Sequence, residues 1–308
     1  MNRILYIVNP AGHGGAGGKV WDRMQSEWPD QIDPQDVRFT QRQGHDKEIA
    51  ACAEGYDILA AVGGDGTVGE IMSGMMAQSG PRPKLAITPA GTGNDIGRNV
   101  GVYSFEDAIN ALRGGRARKF DLIRIDCQVD GRKAYRYAFL SGSVGFSVCY
   151  MARPWMKRYL GPKGAYYLSI VLGIIAFRIP HMTVRWQGHE YGGRTWVVYA
   201  ANVERTAGGS MCIAPGARPD DGKLHVAIVP SRSKLYSMTK MMPKVPSGAH
   251  VREPGVSYFS TEKLDVECER PGIVEIDGDV FGTAPATFTV CSKAIEVIRP
   301  VKTDEGGV

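Results

Sequence analysis

The chain has 308 residues, enough for two domains, and its 43% hydrophobic against 22% charged content excludes a disordered or low-complexity protein. With 37 basic and 32 acidic residues the net charge is +5, which suits a polyanionic ligand or an anionic membrane. That excess is too small, without a Lys/Arg stripe or zinc-finger spacing, to signal nucleic acid.

The N-terminal run Arg3–Val8 is too short for a signal peptide and reads as a strand entering the turn Asn9-Pro10-Ala11-Gly12. A helix is predicted over Val20–Trp28, a short strand over Val37–Thr40 and a helix over Asp46–Ala53. Asp57–Val62 reads as a buried strand that stops at Gly63-Gly64, and Val68–Ala77 is apolar at helical spacing. Lys84–Thr88 is another strand, and Phe105–Arg113 a helix closed by Gly114-Gly115. This alternation predicts an α/β domain with a mostly parallel sheet over residues 1–121.

After Asp121 strands dominate: Asp121–Asp126, Ala134–Ser141, Met182–Trp186, Thr195–Asn202, Leu224–Val229, Lys263–Cys268, Gly272–Ile276 and Ala294–Ile298. An antiparallel β-sandwich or barrel is expected over residues 122–302, with a helical insertion near Ala165–Phe177. Its last strand has the option of packing back on the first domain, and residues 303–308 read as a frayed tail. Six scattered cysteines, none in a C-x-x-C pair, suit a reducing compartment. The longest greasy stretch, Tyr166–Phe177, falls short of the roughly 20 residues that a membrane span needs. A cytoplasmic protein is therefore expected, with peripheral contact at a membrane face.

Open parallel sheets bind ligands just beyond the carboxyl ends of their strands. Three glycine-rich segments fall there: Asn9 to Lys19, Gly63-Gly64-Asp65-Gly66-Thr67, and Pro89-Ala90-Gly91-Thr92-Gly93-Asn94-Asp95. Glycines let backbone N–H groups converge on phosphate oxygens, and a following helix N-terminus adds a positive dipole end. Gly12 to Gly17 also satisfies G-x-G-x-x-G, yet Lys19 is followed by Val20, so the segment is no Walker P-loop. Asp65 and Asp95 sit inside these turns, where an unpaired carboxylate repels an anionic ligand by roughly 4 kcal/mol at about 4 Å. A Mg²⁺ ion held by one or two carboxylates and phosphate oxygens resolves that conflict, and is the arrangement of phosphoryl transfer.

At these residues the sequence resembles the diacylglycerol kinase catalytic-domain family, which includes bacterial lipid kinases, sphingosine kinases and ceramide kinases. The matching motifs run in order along nearly the whole chain: Asn9-Pro10, Gly63–Thr67 with Glu70 trailing, Pro89–Asp95, Ala214-Pro215 with Asp220-Asp221-Gly222, and Asp277-Gly278-Asp279. The resemblance implies a NAD kinase/phosphofructokinase-like nucleotide domain followed by a β-sandwich, with ATP between them. It implies nucleotide contacts from Asn9, Pro10, Ala11, Gly12, His13, Thr40, Gly63, Gly64, Asp65, Gly66, Thr67, Glu70, Thr92, Asn94 and Asp95. Mg²⁺ would lie in a water-bridged network at Asp65 and Asp95. The turn at Arg218, Asp221 and Lys223 is similar to a structural Mg²⁺ site in bacterial members, and equally to an ordinary Asp-Gly turn. The family's general base falls at Asp279, one methylene shorter than the family's Glu, with Asp277 and Asp65 as alternatives; Gly69 departs from the family's Asn.

The implied activity is transfer of the ATP γ-phosphate to a lipid hydroxyl such as that of diacylglycerol, a step in phospholipid metabolism. Arg153, Lys157, Arg158 and Lys163, interleaved with Trp155, Tyr159, Tyr166 and Tyr167, suit either an interfacial element on anionic lipid or a helix packed on the sandwich. NAD kinase, a nicotinamide-dependent oxidoreductase and a catalytically silent lipid-binding protein are the alternatives. The acceptor lipid and the oligomeric state, monomer or homodimer, stay open.

Overall fold

The computed structural model describes residues 2–29, 32–146, 159, 168, 172, 173 and 175–301. It divides into two compact units, one of Met1–Asp121, Ala207–Gly209 and Ser292–Val308, the other of Leu122–Thr206 and Ser210–Cys291. Residues 292–301 thus group with the first unit. The physical reason is a parallel pairing of Val297 with Leu85 at the edge of the first sheet.

In the first unit β1 (Ile4–Val8), α1 (Gly12–Glu27), β2 (Val37–Phe39), α2 (His45–Ala51), β3 (Ile58–Gly63), α3 (Asp65–Met75), β4 (Lys84–Pro89), α4 (Asp95–Val100) and α5 (Phe105–Gly114) follow in order. The parallel sheet runs β4-β3-β1-β2, and the C-terminal stretch of the long strand Asp279–Arg299 adds beside β4. All six residues of β3 are buried, as expected of a central strand covered on both faces. Tyr6, Val8, Trp21, Met24, Val62, Phe105 and Ile298 form one core on a single side of this sheet. At the open edge β2 has only three residues, and Arg38 Nη1 donates to the carbonyls of Gln35 at 2.7 Å and Val37 at 2.9 Å. Ser104 and Asp107 close a reciprocal capping box at the start of α5.

The helix expected over Val20–Trp28 instead begins at Gly12, so most of the glycine run is helical. Gly17 explains one of those glycines: a β-carbon there would lie 2.0 Å from the Asn9 carbonyl oxygen. The helix backbone therefore packs directly on the β1–α1 turn, a contact that only glycine permits. Gly17→Ala is expected to cost about 3 kcal/mol through backbone displacement, whereas Gly14→Ala, with nothing within 4 Å of the added carbon, meets only the strain of its φ of +67°. Urea denaturation of the two variants checks the difference.

The second unit is antiparallel. It contains most of β5 (Arg116–Val129), then β6 (Arg132–Ala138), β7 (Ser141–Gly145), β8 (His181–Trp186), β9 (His189–Ala201), β10 (Arg205–Thr206), β11 (Met211–Cys212), β12 (Leu224–Pro230), β13 (Ser257–Thr261), β14 (Lys263–Cys268), β15 (Ile273–Ile276) and the first part of β16 (Asp279–Arg299). Pairing runs β7-β15-β16-β14-β8-β9 and returns to β7, so the hydrogen bonding closes on itself; β12 and β13 branch from β9. The alternation of buried and exposed residues in β8 and β14 suits strands with one face turned to an interior. Ile123, Ile125, Val144, Val184, Val198, Leu264 and Phe288 fill the interior.

The strand expected over Ala134–Ser141 is broken at Phe139-Leu140, and strand β13 and helix α4 were not expected. The helical insertion is seen only at scattered described residues between 159 and 176, and Arg153, Trp155, Lys157, Arg158, Lys163, Tyr166 and Tyr167 lie outside the described residues.

Candidate active site

Backbone hydrogen bonds extend the first unit's ladder just past its strand ends. Asn9 N–H donates to Val62 at 3.0 Å, Thr40 N–H to Val8 at 2.8 Å and Ala90 N–H to Gly63 at 2.9 Å. The register Gly63↔Pro89 puts the second and third glycine segments side by side. They touch through glycine: a β-carbon on Gly91 would lie 3.0 Å from the Gly64 Cα. Asn94, at φ +48°, clamps its own loop, accepting from Gly91 N–H and donating to Gly91 O, both at 2.8 Å. Thr67 is buried and its hydroxyl accepts from the Asn9 amide at 3.0 Å, so it fixes the first turn against the second. Gly66 and Thr92 are exposed, Pro10, Gly12, Gly64 and Glu70 are half-buried, Ala11 is exposed, and His13 lies in the first turn of α1.

Asp65 and Asp95 are not loop residues but the first residues of α3 and α4, where the helix dipole favours a carboxylate. Asp65 Oδ1 accepts from Ile96 N–H at 2.9 Å, so it caps the neighbouring helix. The two Oδ2 atoms converge on Gly93: a β-carbon there would lie 3.3 Å from Asp95 and 3.4 Å from Asp65. Burial, and then the Asp65 charge beside it, raises the Asp95 carboxyl above the ordinary range, against three backbone N–H bonds from Gly208, Ala207 and Gly209. Gly208 donates to Oδ1 at 2.8 Å. Residues 207, 208 and 209 have φ of +56°, +69° and +81°, a run of left-handed conformations that turns successive N–H groups toward one anion.

These residues fit a divalent cation. Among the described residues no group of three or more His, Cys, Asp or Glu could hold a metal. Two converging carboxylates, with phosphate oxygens and water to complete the shell, are what Mg²⁺ accepts in nucleotide sites.

In the second unit Asp277 and Gly278, at φ +49° and +91°, make the tight two-residue turn between β15 and β16. Asp277 is half-buried. Its Oδ2 accepts from Phe139 N–H and its Oδ1 from Leu140 and Ser141 N–H, each at 2.9 Å. Those amides turn to the carboxylate and not along a ladder, which is why the strand breaks there. Burial pushes the Asp277 carboxyl up to about 6, outweighing the three N–H bonds and the Arg136 charge. Asp279 is different: its side chain is 65% exposed, with Arg136 3.9 Å away.

Asp221 Oδ1 accepts from Lys223 N–H at 3.0 Å and Oδ2 lies 2.9 Å from His225 Nε2, while its own N–H reaches the Arg218 carbonyl at 3.4 Å. Protein groups already close this turn, so a cation on Asp221 would compete with His225.

The Ala207–Gly209 run was missed in the sequence, where its one signal is the pair Gly208-Gly209 between two short strands.

An α/β domain with glycine loops at its strand ends and a closed β-sandwich define the NAD kinase-like two-domain fold. A crystal structure of a putative diacylglycerol kinase from Bacillus anthracis str. Sterne has this fold, at TM-score 0.74 and 21% identity over 97% of each chain. Yeast NADH kinase complexed with NADH follows at TM-score 0.55 and 11% identity, over 99% of this chain and 84% of that one. Residues 3–125 match the diacylglycerol kinase catalytic domain, and residues 143–299 match the YegS C-terminal NAD kinase beta sandwich-like domain. The chain belongs to the diacylglycerol kinase catalytic-domain family. A curated relative, the diacylglycerol kinase of Staphylococcus aureus (strain JH9), is 27% identical over 251 residues, 81% of this chain and 76% of that protein.

Proposed function

We propose that the protein is an ATP- and Mg²⁺-dependent lipid kinase that phosphorylates a hydroxyl of a diacylglycerol-type lipid. The observation that carries this reading is the convergence of the Asp65 and Asp95 carboxylates on Gly93, amid amide-rich turns suited to phosphate. Mg²⁺ bound at this pair would neutralise charge on the transferred phosphoryl group. The chain's own residues position and exclude. The Gly64, Gly66 and Gly91–Gly93 turns present backbone to the polyphosphate, and the Asn94 clamp keeps the third turn in shape. The acceptor oxygen attacks the γ-phosphorus, the bond to the β–γ bridging oxygen breaks, ADP leaves, and the hydroxyl proton passes to a base.

Asp279 suits that base better than Asp277. Both oxygens of Asp277 are committed to backbone N–H groups, whereas the Asp279 carboxylate stands in the open. Asp279→Asn is expected to lower kcat about 10²–10⁴-fold with little change in the KM for ATP, the range of general-base loss. Near-normal turnover would move the role elsewhere. The overall reading is tested by labelled ATP with a panel of lipid acceptors and NAD: label in a lipid supports it, label in NAD replaces it.

A further inference from the structure

Ile175 and Leu235, at 59% and 71% exposure, are the two most exposed large aliphatic side chains among the described residues. They are neighbours in space: Lys234 Nζ donates to the Ile175 carbonyl, which ties residue 175 to the helical turn Lys234–Tyr236. Their chain neighbours Phe177 and Tyr236 belong to an apolar cluster with Trp196, Met241, Phe146 and Met242, distinct from the sandwich interior. Phe146, Phe177 and Trp196 meet pairwise at ring-centroid distances of 5.5–5.7 Å. The adjoining segment Ser237–Met241 is a π-helix, a rare conformation that frequently marks functional sites.

The charge of this face has one sign. Among the described residues adjoining Ile175 and Leu235, no Asp or Glu occurs in 175–180, which holds Arg178, or in 231–252, which holds five Lys or Arg. Glu253, just past the second span, is buried and paired with Lys244 and Tyr236. Arg178, Arg232, Lys234 and Lys240 are exposed around Leu235 and Ile175 with no exposed carboxylate in these segments. Elsewhere the exposed charges are mixed, as in the Arg23–Glu27–Glu106 and Arg185–Glu190–Glu267 pairs.

We infer that this face, with Leu235 and Ile175 as its apolar tip and Arg178, Arg232, Lys234 and Lys240 as its collar, docks on an anionic phospholipid surface. Protruding aliphatics enter the headgroup boundary while basic residues meet the surface potential, and neither contribution alone is strong. A second copy of the chain would bring like charge against like charge on this face. The inference extends the lipid-kinase reading by naming how the protein reaches its acceptor.

Vesicle sedimentation without nucleotide separates the two, because it needs no turnover. Wild-type protein is expected to partition to phosphatidylglycerol vesicles and not to phosphatidylcholine vesicles, with the binding lost at high salt. Leu235→Glu and Lys240→Glu are each expected to weaken that partition by about tenfold. Lys84→Glu, which changes net charge as Lys240→Glu does but sits on an exposed end of β4 in the first unit, should leave it within about twofold. With a short-chain acceptor below its aggregation concentration, all three variants should phosphorylate at the wild-type rate. Equal loss with Lys84→Glu would make the effect one of bulk charge and overturn the inference. So would absence of wild-type binding to anionic vesicles, or a Leu235→Glu variant that changes from dimer to monomer while still sedimenting with vesicles.

Discussion

Asp65→Asn is expected to lower kcat/KM for ATP-dependent lipid phosphorylation about 10³-fold, near 4 kcal/mol of transition-state stabilisation. Asparagine keeps the oxygen that accepts from Ile96 N–H, so the start of α4 stays capped and unfolding in the absence of ligand should be essentially unchanged. It removes one of the two converging charges and with it the anionic site for a dication. The loss should therefore be accompanied by a ligand effect. At about 100 times its Kd, Mg²⁺-ATP stabilises a binding protein by about 2.7 kcal/mol, an increment expected for wild type and absent from the variant. Removing the Asp65 charge also relieves Asp95, whose carboxyl should fall toward the ordinary range, readable by ¹³C carboxyl titration. Full activity in EDTA, or an Asp65→Asn variant still stabilised by Mg²⁺-ATP, would end this account of the pair.

Asp277→Ala is the second large effect, and it acts on stability. The substitution strands three backbone N–H groups in a part-buried place, each worth about 1–3 kcal/mol when unsatisfied. A combined loss of about 4 kcal/mol is expected, a large share of the 5–15 kcal/mol typical of a folded domain. Asp277→Asn should fall between, because one oxygen still serves Leu140 and Ser141 while its amide faces the Phe139 N–H. Urea denaturation checks both, and a loss under about 1 kcal/mol for the alanine variant would refute the stapling role. The pH dependence has a definite sign. The folded carboxyl sits at about 6, above its ordinary value of 3.8, so the native state binds the proton more tightly. Its contribution to stability is full below pH 3.8 and is lost as pH rises through about 6, and this slope should vanish in Asp277→Asn.

The sheet of the first unit was legible because β3 is apolar at every position and the glycine turns punctuate the strands without ambiguity. The approach of Asp65 to Asp95 could be foreseen for the same reason: each follows a strand that is the other's neighbour. What escaped the sequence depended on contacts remote along the chain. Asp277 reads as a turn-forming residue, and its true partners lie 136 to 138 residues away. The donors to Asp95 from Ala207–Gly209 are equally distant, and backbone N–H groups carry no residue identity to recognise. The early start of α1 was hidden by glycine's poor helix propensity, which close packing against Asn9 overrides. The exposed pair Ile175 and Leu235 likewise has no signature in either segment alone.

Arg38, at the margin of the first sheet, has a consequence for how the protein keeps to itself. A terminal strand with bare backbone groups is a template on which other chains nucleate cross-strand aggregates. Here a guanidinium folds back over the carbonyls of Gln35 and Val37, and the strand is only three residues long. The accessible rim is thereby both short and partly occupied, two independent obstacles to a foreign strand pairing there.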